Sequence, residues 1–162
     1  MKLEPLIKVE AGWTGITGRF GVHVFEGHLT LAQMDRMEQV GNTWFRENPG
    51  KLIELVVIYP SNSRMTTEER HKITGLMKRW QKDRVGSATV ILGAGMIGAM
   101  HRSVLTALQM MAPPPHPAKV FSAVSDAVDW LVPLMRPLTG PRTTATEVLG
   151  AVEDFCAAFK AR

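Results

Sequence analysis

The sequence predicts one α/β domain, a mainly parallel or mixed sheet of about five strands with helices packed on it, plus an extra C-terminal helix. Three observations point to this fold class. Residues 52–59 form a nearly continuous apolar run, as expected for a strand covered on both faces. Strand patterns alternate with amphipathic helical patterns, which favours parallel strands joined by right-handed crossovers. The strand pattern at 88–92 runs straight into a glycine-rich segment, residues 93–98.

Two strands are predicted at the N-terminal end, over residues 5–10 and 19–25. The second alternates apolar and other residues with the period of two that a half-buried strand shows. Three glycines, at positions 12, 15 and 18, lie between the two strands. They indicate a hairpin or a loose turn.

Two amphipathic helices flank the strand at 52–59. Thr30 and Gln33 are spaced as a capping box at the start of a helix over residues 31–47. Thr66 or its neighbour caps the next helix, and Gly86 closes that unit. The expected buried stripe of the second helix consists of Ile73, Leu76, Met77 and Trp80.

The C-terminal part of the sequence alternates between helices and proline-rich breaks. A strongly apolar helix over residues 97–111 ends at the proline-rich segment 113–117, which cannot continue a helix. A short strand at 120–121, near a sheet edge, precedes a short helix that opens at 125–126. A joint rich in proline and glycine is then predicted over 133–141.

The last helix, about residues 144–160, carries one clean apolar face. We expect residues 1–134 to form the domain. Residues 135–162 are expected to form a linker and a helix that packs on the domain or at a dimer interface. A two-fold homodimer through that helix is the favoured arrangement.

Composition limits the classes of function. The 162 residues suit one domain, and 45% hydrophobic with 21% charged residues is typical of a globular protein. The net charge of +4 permits an acidic partner, but basic residues do not cluster with aromatic ones, so no nucleic-acid partner is expected. The single cysteine and the lack of secretory or membrane-spanning patterns predict a cytoplasmic protein.

The glycine segment matches the dinucleotide-binding pattern G-x-G-x-x-G, and it follows a strand and opens a helix, as that pattern requires. An anion or nucleotide would then bind at a turn formed by Gly93, Gly95, Met96 and Gly98. The acidic residue expected about 20 positions later is missing, and two apparent crossovers precede the motif. The segment is therefore interpreted first as a tight strand-to-helix turn with small residues that allow close packing.

The order of elements resembles the STAS domain, the fold of anti-sigma-factor antagonists, and especially its SpoIIAA-like bacterial relatives. The resemblance covers about residues 3–134. It depends on the hairpin start, the strand at 52–59, the strand-turn-helix at 88–99, and the closing segment 119–131, a short strand followed by an Asp-Ala-x-x-Trp-Leu helix.

The resemblance implies a non-enzymatic module that binds a protein partner, such as an anti-sigma factor or a kinase-like protein. In that family, phosphorylation of a Ser or Thr at the start of the second helix switches binding, within a motif Asp-Ser-x-Gly. This sequence has Ser61 and Ser63 in the corresponding loop, without the aspartate and the glycine. A phosphate there would pair with Arg64.

Other residues carry weaker signals. The five histidines make no metal-ligand spacing, so no metal and no cofactor are expected, and Cys156 is expected to be a buried small hydrophobe. An apolar-ligand pocket could lie beneath the helix that carries Met96, Met100, Met110 and Met111. The helix over 67–84 is basic, and it is interpreted first as a solvated face that includes Lys72 and Arg84. The alternative is a face for an acidic partner, formed by Arg70, Lys78, Arg79 and Lys82.

Three hypotheses therefore remain. The first is a STAS-like regulatory or scaffold module that acts by protein binding. The second is a protein that binds a nucleotide or small ligand at the glycine turn. The third is a carrier of an apolar ligand.

Overall fold

A computed structural model describes residues 1–61, 64–93, 98–99, 102–103, 105–106 and 113–162. Its strands are β1 (Glu4–Val9), β2 (Gly12–Thr17), β3 (Phe20–Glu26), β4 (Leu52–Tyr59), β5 (Arg84–Ile91) and β6 (Ala118–Phe121). Its long helices are α1 (Leu31–Glu47), α2 (Thr67–Trp80), α3 (Val124–Thr139) and α4 (Ala145–Lys160). The described residues among 98–106 are helical as well.

In these residues the six strands pair in chain order, from β1 at one edge to β6 at the other. The pairs β1–β2 and β2–β3 are antiparallel, whereas β3, β4, β5 and β6 run parallel. The α/β class and the mixed sheet are confirmed, and β6 lies at an edge as predicted. The β1 edge is irregular, because its register shifts between Pro5 and Ile7.

The structure adds one strand, β2, where the glycines predicted a turn. A Cβ on Gly12 would lie 2.2 Å from Cδ1 of Phe25, and one on Gly15 would lie 2.8 Å from the ring of Phe155. These glycines sit inside a strand because two aromatic rings pack directly on its backbone. A strand glycine that makes room for a close neighbour looks, in sequence, like a turn glycine.

The predicted capping box of α1 is present at Thr30 with Gln33. The cap of α2 is Thr66, one of the two predicted candidates, and the structure shows that it forms a capping box with Glu69. Met77 was expected in the buried stripe of α2, but 48% of its surface is exposed. Gly86, expected to close the unit, lies inside β5, where a Cβ would meet the side chain of Leu134 at 2.9 Å.

The joint predicted over 133–141 is helical as far as Thr139. Helix α3 contains Pro133 and Pro137, both of which are exposed, so neither ring interrupts the packed face. That face buries Leu131 and Met135 on either side of the first proline. Burial of these apolar side chains outweighs the unfavourable helix propensity of proline at an exposed position.

The two faces of the sheet carry separate cores. Helices α1 and α2 cover one face, with Ile7 and Phe25 contributed by the sheet. Helices α3 and α4 cover the other, with Phe20 and Val22 beneath them. The apolar side of α4 is buried in this second core through Val148, Val152, Phe155 and Phe159.

No helix in the described ranges is long and apolar enough to cross a membrane.

Candidate functional site

The ends of β4 and β5 bring two predicted site segments together. The Leu92 N–H donates to the carbonyl of Ile58 at 2.9 Å, so pairing continues past the end of β5. A Cβ on Gly93 would lie 3.2 Å from Cγ of Pro60, and Ser61 follows that proline as an exposed residue. We call the surface formed by Pro60, Ser61 and Gly93 the carboxyl edge, because the parallel strands end there.

The glycine turn is tight at its two described glycines. A Cβ on Gly98 would lie 2.4 Å from the carbonyl oxygen of Gly93, which is closer than real Cβ atoms approach. Nη1 of Arg102 donates to the carbonyl of Ile91 at 3.0 Å and lies 3.4 Å from that of Gly93. These contacts favour the close-packing interpretation of the glycines.

Several predicted residues fall outside the described residues. They include the second predicted phospho-acceptor, the central residues of the predicted anion-binding turn, and the methionines above the predicted apolar pocket. Their roles stay predictions. The residues are Ser63, Gly95, Met96, Met100, Met110 and Met111.

The start of α2, which follows the Ser61 loop, already holds a carboxylate. The Glu69 N–H donates to Oγ1 of Thr66 at 3.2 Å, and the Thr66 N–H donates to Glu69 Oε2 at 2.7 Å. The backbone hydrogen bond from Thr66 holds the pKa of Glu69 below its usual range. Nε2 of His28, in the loop after β3, lies 3.8 Å from Glu69 Oε1. The end of β3 therefore meets the start of α2 at the same edge.

The residues of the predicted basic face of α2 differ in their contacts, because only some of them pair with carboxylates of α1. Arg79 pairs with Glu38 of α1, and Lys72 lies 2.9 Å from Asp35 and 2.5 Å from Glu38. Arg79 therefore links α2 to α1, and 55% of its side chain is exposed. Arg70, Lys78 and Lys82 are exposed.

The described residues hold no group of three or more His, Cys, Asp or Glu side chains that could bind a metal ion. Cys156 lies on the buried side of α4, as expected of a small hydrophobe, and burial raises the pKa of its thiol to about 11. A thiol in that environment stays protonated and is a poor nucleophile.

A buried polar layer crosses the sheet beneath α1 and α2, and sequence reasoning missed it. Oγ1 of Thr14 lies 2.8 Å from Nδ1 of His23, and Nε2 of the same histidine lies 3.0 Å from Oε1 of Glu54. Nη2 of Arg84 donates to that carboxylate oxygen at 2.5 Å. The contacts run from β2 through β3 and β4 to β5, so four strands share one polar row.

The charges in this layer compensate one another. Burial opposes ionisation of Glu54, but the guanidinium of Arg84 and the His23 ring outweigh it and lower the pKa of Glu54 to about 2. Next to the row, Oγ of Ser87 lies 3.0 Å from Nε2 of His116. Burial, followed by the nearby Arg84 cation, lowers the pKa of His116. The anionic carboxylate and cationic guanidinium are therefore the stable states at neutral pH.

The polar row lines a cavity of about 40 Å³ between the sheet and helices α1 and α2. Trp44, Phe45 and Trp80 form part of its apolar wall. Nε of Arg84, which also lines the cavity, is buried and has no hydrogen-bond partner among the described residues. The volume is enough for a water molecule and too small for a cofactor.

One sequence signal could have revealed this layer. Glu54 is the single charged residue in the apolar strand β4, and a buried charge requires an opposite charge beside it. Its partner depends on an irregularity, because Leu52 pairs with Arg84 but Ile53 pairs with Gly86. This register shift places Arg84 on the same face as Glu54, and local sequence patterns do not show it.

Comparison with known proteins gives a structural neighbour. No family model matches the chain, and no curated protein matches it. A crystal structure of an uncharacterized DUF3478-family protein from Shewanella loihica PV-4, described as having a SpoIIAA-like fold, superposes with a TM-score of 0.56. The match covers 80% of this chain and 91% of the other, at 14% sequence identity.

The chain has a SpoIIAA-like fold. At this level of identity the match establishes the fold and nothing about the partner or the activity. The resemblance to the STAS domain is confirmed at the level of architecture. Strands β4 and β5 of this chain pair in parallel as far as Ile58 and Ile91, which is why the Ser61 loop adjoins the glycine turn.

Proposed function

We propose that this SpoIIAA-like chain is a non-enzymatic regulatory or scaffold module of the bacterial cytoplasm that binds a protein partner at its carboxyl edge. The observation that carries the proposal is the meeting of two exposed segments, at Ser61 and Gly93, where β4 and β5 end. In open α/β sheets, ligands bind outside the carboxyl ends of the parallel strands. The STAS resemblance favours an anti-sigma factor or a kinase-like protein as the partner.

The state of the ionisable side chains supports binding over catalysis. Glu54 is held by Arg84 and His23 beneath two helices, Glu69 caps α2, and Cys156 is a buried thiol. A general base or nucleophile needs a reactive state and access to substrate. Each of these three groups is instead engaged in holding the fold together.

A phosphate on Ser61 is the natural switch for such a surface. It would add nearly two negative charges just before α2 begins, where Arg64 and Arg70 are exposed. The Glu69 carboxylate at the same helix start would repel it. The phosphate would change the charge of the carboxyl edge, and therefore the affinity of this edge for the partner. The sheet would not need to move far.

The proposal includes a protein partner and no two-fold homodimer through the last helix. The sequence predicts that homodimer only because the apolar face of α4 must be buried against something. The structure buries this face against its own sheet.

Site-specific photo-crosslinking in a bacterial host tests the proposal. A photoreactive residue is placed at Ser61 or, as a matched control, at Thr43, which is exposed on α1. We expect one protein to be cross-linked from position 61 and not from position 43. With that protein purified, Ser61→Trp should weaken binding at least about tenfold, or about 1.4 kcal/mol, and Thr43→Trp should leave binding unchanged. Equal cross-linking from both positions, or unchanged binding by Ser61→Trp, would refute the proposed surface.

Nucleotide binding at the glycine turn is the alternative function. It draws on one observation, the Arg102 guanidinium beside Gly93, which has further N–H donors for a phosphate besides the Nη1 that contacts the carbonyls of Ile91 and Gly93. Calorimetric titration with ATP, ADP and NAD separates the two functions. Saturable binding that Arg102→Gln weakens would support the nucleotide function, and the absence of heat would support the protein-binding module.

A further inference from the structure

The outer face of α2 and the short turn after it carry exposed cations. Arg70, Lys78 and Lys82 are exposed, and none of them forms an ion pair with a carboxylate in the part of the chain that the structure describes. Met77 lies among them with 48% of its surface exposed. We call Arg70, Met77, Lys78 and Lys82 the basic face.

The outer face of α4 carries the opposite charge. Glu147, Glu153 and Asp154 are exposed, and none forms an ion pair within the described ranges. Gly150 lies between them, with no atom within 4 Å of a Cβ placed on it. We call these four residues the acidic face. The neighbouring α3 adds exposed acids at Asp126 and Asp129 and an exposed base at Arg136.

The two charged faces lie on opposite sides of the molecule. Helix α2 packs on the sheet face that contributes Phe25, and α4 packs on the face that contributes Phe20 and Val22. A two-fold dimer through either charged face would place like charges together. A copy stacked in the same orientation would instead bring the acidic face of one molecule to the basic face of the next.

We propose that a second copy of this chain docks its acidic face on the basic face, so that the protein associates head to tail. Each set contains three charges. The parts of the two sets that lie on the helices are similar in length, and Lys82 follows in the short turn after α2. Arg70 and Lys78 are about 12 Å apart along the axis of α2, and Glu147 and Asp154 are about 10 Å apart along α4. The exposed side chain of Met77 meets the open surface at Gly150. Two copies joined in this way leave one basic face and one acidic face unoccupied. Further copies can therefore add at both ends.

Sedimentation of the full chain at about 10 mM and about 1 M salt, where the screening lengths are about 30 Å and about 3 Å, tests this association. At low salt we expect the mass to exceed the 17.9 kDa of one chain and to rise past two copies with concentration. At high salt it should return to one copy. A mass of one chain at every concentration at low salt would overturn the proposal.

Charge reversal identifies the two surfaces. Lys78→Glu with Lys82→Glu makes both faces acidic, and Glu153→Lys with Asp154→Lys makes both faces basic. Each double variant alone should weaken association at least tenfold, whereas an equimolar mixture should recover it, because every junction is again complementary. Lys2→Glu with Arg36→Glu changes the net charge of +4 as the first variant does, but on other surfaces, and should associate like the wild type.

Circular dichroism confirms that each variant is folded before its mass is compared. A mixture that stays at the mass of one chain, or a single reversed variant that associates like the wild type, would overturn the assignment of these faces. The proposal is independent of the carboxyl edge, since Ser61 and Gly93 belong to neither charged face.

Discussion

His23 and Glu54 are joined across two neighbouring parallel strands, with 3.0 Å between Nε2 of the histidine and Oε1 of the carboxylate. The same oxygen accepts a hydrogen bond from Arg84 on β5, the strand on the other side of β4. One buried anion therefore holds β3, β4 and β5 at the same level. Because the group is buried, its loss affects folding more than the loss of a surface ion pair.

Replacing Glu54 with glutamine should destabilise the protein strongly. The substitution keeps the shape but leaves the buried Arg84 cation without its counter-charge, which costs about 3–5 kcal/mol of the free energy of unfolding. Urea denaturation measures the change. Glu153→Gln, at an exposed position, is the control and should change stability by no more than about 0.5 kcal/mol. A loss below about 1 kcal/mol for Glu54→Gln would contradict the assigned role.

Lowering the pH should remove the contribution that ionised Glu54 makes to the free energy of unfolding. The pKa of Glu54 is about 2 in the folded protein, against its usual 4.5. Because the folded value is the lower one, the contribution is complete above about pH 4.5 and is lost as the pH falls towards 2. The difference corresponds to about 3 kcal/mol. Between about pH 7 and about pH 3, urea unfolding should therefore show a larger loss of stability for the wild type than for Glu54→Gln. Equal losses in the two proteins would contradict this.

Gly98→Ala should destabilise the glycine turn. The added Cβ would lie 2.4 Å from the carbonyl oxygen of Gly93, so the backbone must shift, at about 1–3 kcal/mol. Gly150→Ala is the matched control, because it lies inside α4 with open space around it. That control should raise stability by about 0.5–1 kcal/mol, since alanine is the better helix former. Thermal denaturation of both variants measures the contrast, and equal effects would argue against the close contact.

Cys156 should be unreactive until the protein unfolds. Its thiol is buried and has a pKa of about 11, so little thiolate is present and the reagent has no access. Labelling with a thiol-reactive chromophore at mildly alkaline pH should be slow in buffer and fast in urea. Glu153→Cys combined with Cys156→Ser provides an exposed thiol that should react at once. Rapid labelling of the native wild type would show that α4 detaches from the sheet.

Local signals in the sequence predicted the parts of the fold that depend on neighbours in the chain. Thr30 with Gln33 and Thr66 with Glu69 start α1 and α2, because a capping box needs only four consecutive residues. Strand β4 was equally evident from its apolar run.

The errors occurred where a distant side chain decides the structure. Gly15 is in a strand because the ring of Phe155 packs on it, and that ring comes from the last helix. Arg84 was expected on a solvated helix face, but the register shift between β4 and β5 turns it towards Glu54. The carboxyl edge was predicted in part, since Ser61 and Gly93 each follow a recognisable strand. That the two adjoin follows from the pairing of β4 with β5.

The irregular strand β1 limits aggregation of the protein at high concentration. An exposed strand with unpaired backbone groups is a template for uncontrolled addition of other chains. Here Pro5 removes one donor, the register shift beside it makes the pairing irregular, and Lys2, Glu4 and Lys8 place charges along the edge. At the opposite edge β6 is only four residues long and carries the exposed Lys119. The sheet is therefore protected against amyloid-like growth at both ends, and association is left to the helical surfaces, where charge makes it reversible.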